Sequence, residues 1–214
     1  MDLAPLGLSF LVSGFARRSH HRLDHLDLAI RARDEIPVAP EIPGWNPPGW
    51  QDRLVAIQVS VCGPRDCTPE DESNAREVGR LLAEREAVVI CGGYTGVMAA
   101  VAAGARGAGG TVVGILSRAD REDANPDLSI VIPTGVGEAR NSIIVNSGDA
   151  VIVVGGSWGT LSELALAMRR GNVPVVQLGG WRLLDRSGRP VEGVRHAPSP
   201  EEALTATGLW TPAR

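Results

Sequence analysis

The sequence predicts an α/β protein: a Rossmann-like three-layer α/β/α domain with a parallel sheet, preceded by an N-terminal extension. Three observations carry this expectation. From about Leu54 onward, short apolar or β-branched runs alternate with amphipathic or small-residue stretches, the pattern of a parallel sheet with helices on both faces. Two of those runs end in glycine-rich turns that open helices, at Cys91–Met98 and Gly155–Glu163. The length, 214 residues, suits one such domain with an appendage.

The elements follow in order. Residues 1–52 read as an extension: Leu23, Leu26, Ala29 and Ile30 have helical spacing, and Pro37, Pro40, Pro43, Pro47 and Pro48 make an extended linker. Residues 53–214 read as the domain proper. Leu54–Val61 is its first expected strand. Thr68 caps a helix with Pro69 in its first turn, running to about Arg85. Ala87–Cys91 is a buried parallel strand, and Val97–Ala108 a helix small enough to pack closely on the sheet. Thr111–Leu116 and Leu128–Ile132 are strands, and Glu138–Asn146 a helix. Ala150–Val154 is the most strongly β-branched strand. Thr160–Arg170 is a helix stopped by Gly171, Pro174–Leu178 a last core strand, and Pro200–Thr207 a helix capped by Ser199.

Composition excludes several chemistries. All 21 basic residues are arginine, so neither a Schiff-base lysine nor a Walker-type phosphate loop is available. Of four histidines only His196 lies outside the first 25 residues. Acid–base chemistry in the domain therefore rests on carboxylates and arginine. Cys62, Cys67 and Cys91 lack zinc spacing and read as reduced thiols. The group His20, His21, Asp24 and His25 reads as a solvated face, and no metal site is expected. A net charge of −4 without a basic cluster argues against nucleic acid. No run is long enough to span a membrane, and no basic residue precedes the apolar stretch Leu6–Val12, so a cytoplasmic protein is expected.

The strongest motif is Gly155-Gly156-Ser157-Trp158-Gly159-Thr160-Leu161-Ser162-Glu163. Glycines let backbone approach a ligand, and the free amides and dipole of a helix N-terminus favour an anion. The plainer alternative is a capped helix, since Thr160-x-x-Glu163 fits a capping box. Leu161, Leu164, Ala165 and Met168 form the expected apolar stripe. Glu163 falls roughly opposite it at about 100° per residue, which predicts a non-core position. The second motif holds Gly92, Gly93, Thr95, Gly96 and Met98, and is expected to line the same cleft from the other side. The third places Arg140 and Asn141 at a helix start behind Gly135-Val136-Gly137. The segment Gly155–Gly159 also fits G-x-S-x-G, with Asp185 and His196 following in hydrolase order. Their close spacing and the short chain argue against that fold.

Taken together, these residues resemble the LOG-like family of Rossmann proteins, often mislabelled lysine decarboxylases. The family hallmark Pro-Gly-Gly-x-Gly-Thr-x-x-Glu is similar to Gly155–Glu163, with Val154 in place of proline and one extra residue between the glycines. The family's Arg-Lys pair corresponds to Arg140-Asn141. The resemblance implies one of two roles. The first is hydrolysis of the N-glycosidic bond of a nucleoside 5′-monophosphate, with Glu163 and Arg140 catalytic. The remaining motif residues, Gly92, Gly93, Thr95, Gly96, Met98, Asn141, Gly155, Gly156, Ser157, Trp158, Gly159 and Thr160, would hold the ligand. The second role, favoured by Asn141 and Trp158, is that of a non-catalytic molybdenum-cofactor carrier or nucleotide-binding protein. Neither role requires a resident cofactor. The implied partner is a phosphorylated small molecule, in a homodimer or homotetramer.

Overall fold

The computed structural model describes residues 56–210. The expected extension, its histidine group and its proline-rich linker lie outside the described residues. Seven strands form one sheet: β1 (Gln58–Cys62), β2 (Val88–Cys91), β3 (Val112–Leu116), β4 (Ile130–Pro133), β5 (Ala150–Val154), β6 (Val175–Leu178) and β7 (Val194–Ala197). Their order is β4-β3-β2-β1-β5-β6-β7, and every pairing is parallel. Four α-helices connect strands, α1 (Pro69–Glu84), α2 (Val97–Gly107), α3 (Arg140–Ser147) and α4 (Trp158–Arg170), and a fifth, α5 (Pro200–Thr207), follows β7. None of the described helices is long and apolar enough to cross a membrane.

Strand alternation splits the interior into two cores. Val59, Val61, Ile152 and Val154 point into one, with residues of α1, α2 and α5. Cys62, Val151 and Val153 point into the other, beneath Ile144 of α3 and Leu164 of α4. This is the period-2 arrangement that buries both faces of a parallel sheet. Buried Ser60 donates from its hydroxyl to the Ile144 carbonyl at 2.6 Å, pinning α3 beneath β1.

Local chemistry explains most boundaries. Thr68 accepts from the Asp71 amide while the Asp71 side chain accepts from the Thr68 amide, a complete capping box with Pro69 in the first turn. Ser199 caps α5, and Gly171 ends α4 in the left-handed conformation. Several expectations need correction. The expected helix at Glu138–Asn146 opens as a 3₁₀ turn, Gly137–Ala139, before α3 begins. Helix α4 starts at Trp158, two residues early. Its cap is Ser157, extended in backbone, whose hydroxyl accepts from the Thr160 amide, so Thr160 is inside the helix. Strand β4 starts at Ile130, two residues later than expected; just before it the Ser129 hydroxyl accepts from the Val112 amide and the Ser129 amide donates to the Val112 carbonyl. Strand β7, Val-Arg-His-Ala, was not expected: it is a short edge strand whose middle residues are exposed.

Helices α1 and α2 approach closely through glycine. A Cβ on Gly79 would meet the Val101 carbonyl, and one on Gly104 the Arg76 carbonyl, both well inside 3.0 Å. Gly107, in the last position of α2, faces open space. Gly104→Ala should therefore destabilise by about 1–3 kcal/mol through overpacking. Gly107→Ala should be neutral or stabilise by up to about 1 kcal/mol through helix propensity. Urea denaturation of the two variants measures the contrast.

Candidate functional site

Strand order reverses between β1 and β5, so the loops leaving their carboxyl ends diverge and leave a crevice. A cleft of about 350 Å³ opens there. One wall is the loop after β1, Gly63 to Asp66. Met98 of α2 adjoins it. Glu138, Arg140 and Asn141 come from the 3₁₀ turn and α3, and Ser157, Gly159, Thr160 and Glu163 from the start of α4.

Seven of the residues expected from the motifs thus meet in one cleft: Met98, Arg140, Asn141, Ser157, Gly159, Thr160 and Glu163. Gly92, Gly93, Thr95, Gly96, Gly155, Gly156 and Trp158 stand outside its lining. The glycines have packing reasons. A Cβ on Gly92 would strike the Arg140 guanidinium, and one on Gly96 (φ +66°) the carbonyls of Pro64 and Arg65. A Cβ on Gly155 (φ +68°) would meet the Asp71 carboxylate, and one on Gly156 the Trp181 ring. Trp158 is 79% exposed and packs edge-on against Trp181 at 5.0 Å.

The expected apolar stripe of α4 also shifts. Leu164 and Ala167 are buried, while Ala165 is exposed. Glu163, read as a non-core position, is only 7% exposed. The helix lays a second, polar buried face of Thr160 and Glu163 against the cleft wall, which a single-stripe reading does not anticipate.

Arg140 is buried as well, at 4% exposure. Its Nη1 donates to the carbonyls of Gly92 and Ile115, both at 2.8 Å, joining the ends of β2 and β3. Its guanidinium carbon lies 5.3 Å from the Tyr94 ring centroid, a cation–π distance. Neither its Nε nor the Asn141 Oδ1 has a hydrogen-bond partner among the described residues. The Asn141 amide donates to the Ser162 hydroxyl at 3.2 Å.

Burial pushes the Glu163 carboxyl up to about 7 from its ordinary 4.5. Arg140 opposes the shift, Glu138 adds to it, and a hydrogen bond with the Cys62 thiol lowers it. The Cys62 thiol is itself raised well above the usual range, by burial first and Glu163 second. At neutral pH Glu163 is thus poised between acid and carboxylate, the state that suits general acid–base work.

The N-terminus of α4 forms another part of the lining. Ser157 Oγ takes the Thr160 amide at 3.2 Å and lies 2.9 Å from Thr160 Oγ1. The amides of Trp158 and Gly159, ahead of the first intrahelical bond at Leu161, remain as open donors of the first turn. The hydrolase alternative is not assembled. Asp185 serves its own turn, accepting from Ser187 and Arg189, and the described histidine, His196, lies on β7 outside this cleft. The described residues contain no cluster of three or more His, Cys, Asp or Glu suited to a metal.

The motif reading missed the loop after β1 and Glu138. Gly63-Pro64-Arg65-Asp66 follows the central strand directly, so its position at the switch point was the available signal.

Comparison with known proteins finds relatives of the same fold. The family model described as SLOG cluster4 matches residues 56–204. An uncharacterized protein of Archaeoglobus fulgidus is 42% identical over 154 residues, 69% of this chain and 92% of that protein. A cytokinin riboside 5′-monophosphate phosphoribohydrolase of Mycobacterium tuberculosis is 35% identical over 119 residues, 52% of this chain and 64% of that protein. Among solved structures, the molybdenum cofactor binding protein of Rippkaea orientalis superposes with a TM-score of 0.65 at 35% identity, covering 72% of this chain and 96% of that one. The chain belongs to the SLOG cluster4 family, a LOG-like group of Rossmann-like α/β proteins.

Proposed function

We propose that the protein binds a phosphorylated, nucleotide-like small molecule in the switch-point cleft, with the phosphate on the first turn of α4. One observation carries this reading: the start of α4, with Ser157, Gly159 and Thr160, lines a cleft whose wall also holds buried Arg140. Backbone donors at a helix N-terminus recognise phosphate without regard to the rest of the ligand. The likeness to a phosphoribohydrolase and to a molybdenum cofactor binding protein supports a ligand of this class. In this proposal the binding unit is residues 53–214, residues 1–52 are an extension, and the protein works in the cytoplasm. Exposed Ile130, Ile132, Ile143 and Trp158 support self-association as a dimer or tetramer.

A second reading, hydrolysis of a nucleoside 5′-monophosphate, is favoured by Glu163. The C1′–N bond breaks with its electron pair going to the base, and a water oxygen bonds to C1′. The proton that this water loses passes to the Glu163 carboxylate and on to the leaving base. The binding reading needs the same cradle without this step.

Adenosine 5′-monophosphate, inorganic phosphate and the molybdenum cofactor should each raise the thermal midpoint, and adenosine should not. Equal shifts with and without phosphate would remove the proposed anion site. Incubation with a nucleotide panel separates the two readings. Hydrolysis predicts release of free base and its loss in Glu163→Gln, while a carrier gives stabilisation without release.

Glu163 also predicts a pH dependence of stability. Its folded pKa of about 7 lies above its ordinary 4.5, so the folded chain keeps a proton that the unfolded chain has released. Stability from this group is present below 4.5 and is lost as pH rises through 7. Glu163→Gln should therefore be more stable than the parent above pH 7, by about 1–3 kcal/mol. The gap should close as pH falls towards 4.5. Denaturation midpoints at pH 5 and pH 8 check the sign.

A further inference from the structure

We propose that Arg65, held on the face of Tyr94, is the side-chain cation that binds the ligand's phosphate across the cleft from α4. This deepens the proposed function and rests on it. The cleft is short of usable positive charge. Its lining contains two cations, Arg65 and Arg140, and three acids, Asp66, Glu138 and Glu163. Arg140 is buried, with Nη1 committed to two carbonyls. With Arg65 removed, a dianionic group would meet three acids and one guanidinium, that of Arg140, whose Nη1 is already committed to the scaffold.

Arg65 differs from the other arginines. Its guanidinium carbon lies 4.3 Å from the Tyr94 ring centroid, while its side chain is exposed at the cleft. It forms no ion pair among the described residues. Tyr94 is a fixed platform: it is buried, and its hydroxyl oxygen accepts from the backbone amides of Ser117 and Arg118 at 3.0 and 3.3 Å. The backbone beneath Arg65 is fixed too, since the Val97 amide donates to the Pro64 carbonyl at 3.0 Å. Gly96 admits the Pro64 and Arg65 carbonyls where a side chain would exclude them. The segment from Gly92 to Val97 therefore holds both cations of the cleft, although only Met98 beyond it lines the cavity. A guanidinium stacked on an aromatic face keeps its N–H edge free for a phosphate oxygen.

The experiment compares the full chain with Arg65→Gln, Arg65→Lys and a charge control, Arg106→Gln, by calorimetric titration. The probes are adenosine 5′-monophosphate, inorganic phosphate and adenosine. Arg65→Gln should weaken adenosine 5′-monophosphate and phosphate by about tenfold or more, flatten the salt dependence of that binding, and leave adenosine unchanged. Arg65→Lys should recover part of the affinity, and Arg106→Gln should match the parent. Unliganded thermal midpoints should stay together, because Arg65 is exposed. Parent-like phosphate affinity in Arg65→Gln would overturn this proposal while leaving the binding function intact. A parent that distinguishes no phosphorylated probe from adenosine would overturn both.

Discussion

The burial of Arg140 is the constraint around which the cleft is organised. A guanidinium removed from water costs several kcal/mol unless its protons are satisfied, and here Nη1 spans the carbonyls at the ends of two adjacent strands. That fixes much else. Residue 92 must be glycine, because a Cβ would occupy the space of the guanidinium. The chain must then turn so that Tyr94 presents its ring to Arg140. The start of α3 must lie over β2 and β3, which the Ser60 bond to Ile144 and the 3₁₀ turn before α3 accomplish. The positive charge at the cleft wall is thus a structural element first, and its reach towards a ligand is limited to atoms the scaffold leaves unpaired.

Glu163 depends on the same group from the other side. Desolvation alone favours its neutral form, and Arg140 holds the shift to about 7. Two buried groups of opposite sign, neither fully compensated by the other, give a carboxyl that exchanges its proton near neutrality. Glu138 adds to the upward shift and also lies 3.5 Å from the Asn141 amide. Where the related motif carries lysine, Asn141 brings an uncharged amide, so the acids of this cleft are opposed by arginines alone. The electrostatics are those of a wall with no net positive charge, in which backbone donors would carry much of any anion recognition.

Much of the fold was legible because its signals are local. The Thr68 and Ser199 caps, the Gly171 stop and the β-branched run at β5 each lie within a few residues of the element they define. What was not legible depends on distant partners. The role of Gly92 follows from a residue 48 positions later. The burial of Glu163 comes from a wall contributed by other elements, which a helical wheel cannot see. Strand β7 forms because β6 offers it an edge, while its own residues carry too little apolar alternation to predict it. The loop after β1 escaped a motif reading because Gly-Pro-Arg-Asp becomes chemical only once strand order places it opposite α4.

The two glycine-rich segments therefore differ in kind, although they look alike in sequence. The segment after β5 includes Ser157 and Gly159 in the cleft lining, at the start of its helix. The segment after β2 lines the cleft with none of its glycines. Its glycines are needed because other groups come too close for a Cβ: Arg140 at Gly92, Leu116 at Gly93, and the β1 loop carbonyls at Gly96. A substitution there would act through the placement of the two arginines rather than by removing a ligand contact. Glycine at a strand end marks close approach, and only the topology decides whether the approaching group is a ligand or the protein itself. Here the protein's own groups make the approach at the segment after β2, and under the proposed function a ligand would make it at the segment after β5: a backbone cradle accepts many anions, whereas guanidinium groups set on Tyr94 would restrict where the charge must lie.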